Sequence, residues 1–177
     1  MQGNFAPVYA FTRAQEGTWE DNPADPAGCT MKGVPLGKYR DWCAKHGLPE
    51  PTPDDLRNID DATLEAIYRE YWADVNGDGL PEGVDLSVFD AGFDTGPGTA
   101  VEQLQRILGV AADGDIGPIT CAAAARTSPF VLIANLADAQ EEYYRADPEF
   151  PTFGDGWIAR VQRRRSAGMA MASGRGG

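Results

Sequence analysis

The chain has 177 residues, 42% of them apolar, and a formal net charge of −12. That length suits one domain or a domain with a small second lobe, and the acidity argues against general nucleic-acid binding. One histidine, His46, and three cysteines without a CxxC pair argue against zinc hydrolases, histidine-based nucleophile triads and a disulfide framework, so hydrolytic chemistry here must run on carboxylates.

In chain order, Asn4 reads as a helix cap, and Phe5, Val8, Tyr9, Phe11 and Thr12 follow at helical spacing. Glu16 lies seven residues after Tyr9 and eleven after Phe5, so it leaves the helix from the apolar face just before Gly17. A carboxylate there meets desolvation and the negative end of the helix dipole together. Such an acid is either functional or paired with a cation. A Pro-, Gly- and Asp-rich loop over 18–37 follows, with one small hairpin expected near 30–34. A second helix is expected over 38–45, then a linker, PEPTPDDLRNID, with an acidic helix start. Residues 62–72 form a clear amphipathic pattern, with Leu64, Ile67, Tyr68 and Tyr71 on one side. Further helices are expected over 86–93, 100–108, 120–125, 130–145 and 157–165. Strand signals are almost absent, so the chain reads as mainly α.

No apolar run approaches the roughly 18 residues that span a bilayer, and the N-terminus lacks the marks of a Sec signal peptide. Synthesis in the cytoplasm is expected, with delivery by another route if the target lies outside. Five arginines and no acid fall between Trp157 and Gly177 (Arg160, Arg163, Arg164, Arg165 and Arg175), leaving about −17 on the remainder. This basic end reads either as a solvated helix terminus or as a contact for an anionic surface.

Asp25 follows Glu16 by nine residues, and Thr30 follows Asp25 by five. Glycoside hydrolysis needs one protonated carboxyl to supply a proton to the leaving oxygen, and a second group to hold water or stabilise charge on the other face of the ring. A helix-borne acid in apolar surroundings and a solvated loop carboxylate meet those needs. Glu16 suits the first role and Asp25 the second, and the Thr30 hydroxyl is placed to hold a water. In a chain with 27 acidic residues the spacing alone is not specific.

The motifs are more specific. Glu16-Gly17 is followed by Asn22-Pro23-Ala24-Asp25-Pro26-Ala27-Gly28-Cys29-Thr30 and Gly33-Val34. Further on come Ile67-Tyr68 with Tyr71-Trp72, then Leu80-Pro81, then Phe89-Asp90 with Gly96. Leu104-Gln105, Leu108-Gly109, Asp113-Gly114 and Ile116-Gly117-Pro118 with Thr120 follow, and Phe153-Gly154, Gly156-Trp157 and Arg160-Val161 close the series. In this order the motifs resemble glycoside hydrolase family 108, a group of phage-type endolysins and secretion-associated muramidases. Thr18, Ala27 and Met31-Lys32 depart from the family's usual residues.

The resemblance implies a lysozyme-like, two-lobed helical fold of the goose and phage muramidase type. A catalytic lobe is expected over 1–85, a helical lobe with a peptidoglycan-binding-like segment over 86–165, and a flexible tail over 166–177. It implies cleavage of the β-1,4 bond between N-acetylmuramic acid and N-acetylglucosamine in peptidoglycan strands, with Glu16 as general acid and Asp25 and Thr30 in support. A monomer without cofactor, reaching the wall by holin-type or virion delivery, is expected. The alternatives are a lytic transglycosylase and a non-catalytic wall-binding virion protein. The Leu104–Thr120 motif suits either core packing or glycan contact. Trp19 is the best candidate to stack on a sugar, and Trp72 reads as core.

One motif stands outside the family. Asp74, Asn76, Asp78, Glu82 and Asp85 follow the calcium-loop spacing, with Asp85 at the twelfth position, although Pro81 sits where an apolar residue usually seals such a loop. An ordinary Asp/Gly turn is the competing reading.

Overall fold

The computed structural model describes residues 3–21 and 28–174. These are mainly helical: α1 (Phe5–Gln15), α2 (Leu36–Lys45), α3 (Pro53–Arg57), α4 (Asp61–Asp74), α5 (Val84–Thr95), α6 (Pro97–Leu108), α7 (Pro118–Arg126), α8 (Pro129–Arg145) and α9 (Phe150–Ala172). Three two-residue strands, β1 (Trp19–Glu20), β2 (Thr30–Met31) and β3 (Val34–Pro35), form one antiparallel sheet in the order β1-β2-β3. The described residues fall into two compact units. One gathers Tyr9–Glu70; the other takes the residues up to Val8 and from Tyr71 onward. The boundary expected at 85/86 falls inside α5.

The smaller unit holds the sheet, α2, α3 and most of α4. Val34, Leu56, Leu64, Ile67 and Tyr68 have no exposed surface. The spacing of the last three is the helical stripe seen in the sequence. Tyr68 donates its hydroxyl hydrogen to the Lys32 carbonyl at 2.8 Å. This fastens the β2–β3 turn, where Lys32 is left-handed at φ 53. The expected hairpin is therefore present, held from the IY motif. The linker reading of 49–60 missed α3. Thr52 accepts from the Asp55 N–H while the Asp55 carboxylate accepts from the Thr52 N–H, a capping box with Pro53 at the first turn.

In the larger unit α5 is buried along Val84–Gly92, and α8 and α9 pack together, with Ala137, Tyr144 and Val161 in a cluster flanked by Phe150 and Trp157. Trp72 is core, as expected: it is 5% exposed and meets Phe5 and Phe89 edge-on. The last helix differs from expectation at both ends. It begins seven residues earlier than 157 and runs on to Ala172, so the stretch 166–172 is helix and not tail. Gly168, inside this helix, has a packing reason. A Cβ at Gly83 would lie 2.2 Å from the Gly168 carbonyl oxygen, so α9 passes the start of α5 too closely for side chains.

This extension also places Arg160, Arg163, Arg164 and Arg165 inside the last helix. Arg160 and Arg164 face inward, on Asp90, and Arg165 lies 3.6 Å from Asp138. None of the three stands at a helix terminus. Arg175 lies outside the described residues.

Candidate functional site

Glu16 is the residue next after α1, and it is half-buried. One turn earlier on the same face, Thr12 is completely buried, and its hydroxyl has no hydrogen-bond partner among the described residues. The apolar face of α1 thus carries Glu16 out at the edge of packed structure, as the spacing implied.

Immediately after it, the chain enters β1. Glu20 pairs with Thr30, and Trp19 with Met31. Directly opposed residues of an antiparallel pair project to the same side of the sheet, so Glu20 and Thr30 share a side. The Glu20 side chain also approaches Gly17: a Cβ there would lie 2.8 Å from Glu20 Oε1. Thr30 is half-buried. Asp25 lies outside the described residues. Sequence reasoning passed over Glu20, because only the β1–β2 register brings it beside Thr30, and no local pattern encodes that pairing.

Trp19 is half-buried, and the Arg57 guanidinium carbon stands 5.3 Å from its ring centroid. One ring face is therefore taken by a cation–π contact from α3, and at most the other face is open to a sugar. A second aromatic row runs along α2. Tyr39 stacks on Trp42 at 6.4 Å and Trp42 on His46 at 4.1 Å. His46 is thereby committed to the Trp42 ring and, through Nδ1, to the Trp42 carbonyl at 2.8 Å.

The calcium-loop residues do not converge. Asp85 is 1% exposed and accepts from the Gly83 and Leu86 N–H groups and from Asn4 Nδ2. It holds the start of α5, and burial pushes its carboxyl above the usual range. Asn4 thereby spends its side chain on Asp85 rather than capping α1. Asn76 is left-handed, and its Nδ2 donates to the Ile116 carbonyl. Gly77–Gly79 closes into a single 3-10 turn. Among the described residues no group of three or more acidic, histidine or cysteine side chains is placed to hold a cation.

The downstream motifs prove to be pairs. Gln105 is 1% exposed and reaches into the Asp113–Asp115 loop. Its Nε2 donates to Asp113 Oδ1 at 2.7 Å and to the Asp115 carbonyl at 2.9 Å, and its Oε1 accepts from the Gly114 N–H at 3.0 Å. Asp90 is fully buried between Arg160, which binds it through two nitrogens, and Arg164. Tyr144 donates to Asp94, which also lies 3.9 Å from Arg160. Burial, and then the Asp94 charge, hold the Tyr144 phenol far above its ordinary range, so it remains a donor.

Similarity to known proteins places a family boundary between α5 and α6, not at the boundary of the compact units. The model of Glycosyl hydrolase 108 matches residues 9–96, and that of the Predicted Peptidoglycan domain matches 99–162. Among solved structures, SagA of Brucella abortus is 35% identical, with a TM-score of 0.86 over 97% of each chain. No curated protein matches at comparable stringency.

Proposed function

The chain belongs to glycosyl hydrolase family 108, and from that membership we propose that it is an N-acetylmuramidase with Glu16 as its general acid. The lysozyme-like helical fold and the adjoining peptidoglycan domain make peptidoglycan the substrate class. The finer assignment rests on Glu16. It leaves the apolar face of α1 half-buried and stands beside a small sheet that presents Thr30.

In this reading Glu16 protonates the leaving oxygen of the β-1,4 bond after N-acetylmuramic acid. Asp25 stabilises charge or activates water on the opposite face of the ring, and the Thr30 hydroxyl holds that water. The protein needs no cofactor for these steps. It works as a monomer at the cell wall, delivered in the manner of a phage endolysin.

Glu16→Gln keeps the side chain's size and removes the proton. Wall lysis by the purified variant should fall roughly 10²–10⁴-fold, the share that a general acid contributes. Near-normal lysis would remove Glu16 from the role.

A further inference from the structure

The larger unit carries an open cavity of about 260 Å³, lined by Asp94 and Thr95 at the end of α5, Tyr143 and Tyr144 on α8, Asp147 just beyond α8, and Trp157 on α9. Four of the six lie within the peptidoglycan-domain match. The catalytic reading uses none of them.

We infer that this cavity binds one N-acetylated sugar ring of a glycan strand, at a site separate from the one that carries Glu16. The inference rests on peptidoglycan being the substrate class. Three observations support a sugar.

The first is the aromatic lining. Tyr143 is 44% exposed and Phe153, which packs on Trp157, is 51% exposed. Large rings clustered in solvent around a concavity are the surface that ligands cover. Ring faces also suit the C–H face of a pyranose.

The second is the mixture of polar groups. The Tyr143 hydroxyl gives a donor, and the Thr95 oxygen, whose proton goes to the Ala91 carbonyl, and the carboxylates of Asp94 and Asp147 give acceptors around the rings, as a polyol with an acetamido group requires. Asp147 keeps one oxygen on the Glu149 N–H at 2.8 Å, which fixes its orientation. The volume falls below the roughly 300–1,000 Å³ of pockets for drug-sized ligands, which restricts the occupant to about one ring.

The third is charge. Two free carboxylates would instead attract the ammonium group of a stem peptide. Asp94, however, already takes the Tyr144 proton donor and lies in a balanced cluster of two aspartates, Asp90 and Asp94, and two arginines, Arg160 and Arg164. Asp94 is thereby neutralised and Asp147 alone keeps an uncompensated charge on the lining, so the cavity offers acceptors for the hydroxyl and amide donors of a neutral sugar beside a single carboxylate.

The test uses full-length Glu16→Gln protein, so that binding is read whether or not Glu16 is the acid. Chitotriose is titrated while the tryptophan indole N–H resonances are followed by NMR, each assigned by Trp→Phe replacement. The Trp157 signal should shift saturably, with an affinity unchanged from low to high salt. Tyr143→Ala, at an exposed position, should weaken that binding roughly two- to tenfold, the worth of one aromatic contact. It should also lower retention on purified sacculi. A Trp157 signal that does not move, or a Tyr143→Ala protein that binds as before, overturns the inference. Binding that fades with salt overturns the neutral-sugar assignment in favour of an ammonium ligand. Absence of hydrolysis by the parent chain would count against the muramidase reading alone.

Discussion

Gln105 offers a sharp test of how the family motifs work, because a buried side chain is asked to hold a whole loop. Gln105→Leu retains nearly the same volume, so it opens no cavity, but it removes every hydrogen bond of the amide. Three neutral bonds are lost, to the Asp115 carbonyl, from the Gly114 N–H and, longer at 3.3 Å, to Thr120 Oγ1, and both backbone groups are left without that partner. At about 1 kcal/mol per bond, with a further penalty for orphaned groups, the loss should be about 2–4 kcal/mol. The bond to the exposed Asp113 carboxylate is screened by water and adds little. For a chain of this size each kcal/mol lowers Tm by about 2–4 °C, so calorimetry should show a fall of roughly 5–15 °C.

The pH response gives a second signature. The Gln105 hydrogen bond, followed by the Asp115 N–H, holds the Asp113 carboxyl below the ordinary 3.8. A depressed carboxyl stabilises the fold above the unfolded value, and that stabilisation is lost as pH falls through the folded one. Gln105→Leu should flatten this acid limb. A variant that melts within about 2 °C of the parent, with the acid limb intact, would refute the reasoning.

Other consequences can be checked in the same way. Arg164→Met leaves the fully buried Asp90 with Arg160 alone and should cost about 3–5 kcal/mol; calorimetry showing an unchanged Tm would contradict the buried cluster. Asp85→Asn keeps an oxygen for the Gly83 and Leu86 N–H groups and drops a charge that burial disfavours. Because the folded pKa is raised, the folded state binds more protons than the unfolded chain between the two values, and parent stability falls as pH rises through that window. The variant should therefore melt higher than the parent near neutral pH, with the gap closing toward the unfolded carboxyl value of about 4; a gap independent of pH would oppose this. Asp25→Ala and Thr30→Ala should each lower turnover while retaining binding to insoluble peptidoglycan, since both act on the transition state. Lost binding with normal turnover at saturation would reverse that assignment.

Helices with strong periodicity, α4 and α8, were legible from the sequence, as was the hairpin at Thr30, because local spacing encodes both. Helix α3 was not, since five residues between prolines resemble a linker until the Thr52–Asp55 capping box is seen. The arginine run looked solvated because its counter-ion, Asp90, lies seventy or more residues away. The same limit applies to the site. The position of Glu16 on the apolar face of α1 follows from helix geometry, but the approach of Glu20 depends on strand pairing. The motifs, too, could be recognised one by one, while their pairing (Gln105 with Asp113–Asp115, Asp90 with Arg160 and Arg164) is a property of the folded chain.

The central claim is muramidase action, and mass spectrometry of the ends released from purified peptidoglycan tests it most directly. Digestion by the parent chain should yield fragments ending in reducing N-acetylmuramic acid, and Glu16→Gln should yield almost none. Ends in reducing N-acetylglucosamine or in 1,6-anhydro-muramic acid, or equal release by the variant, would contradict it.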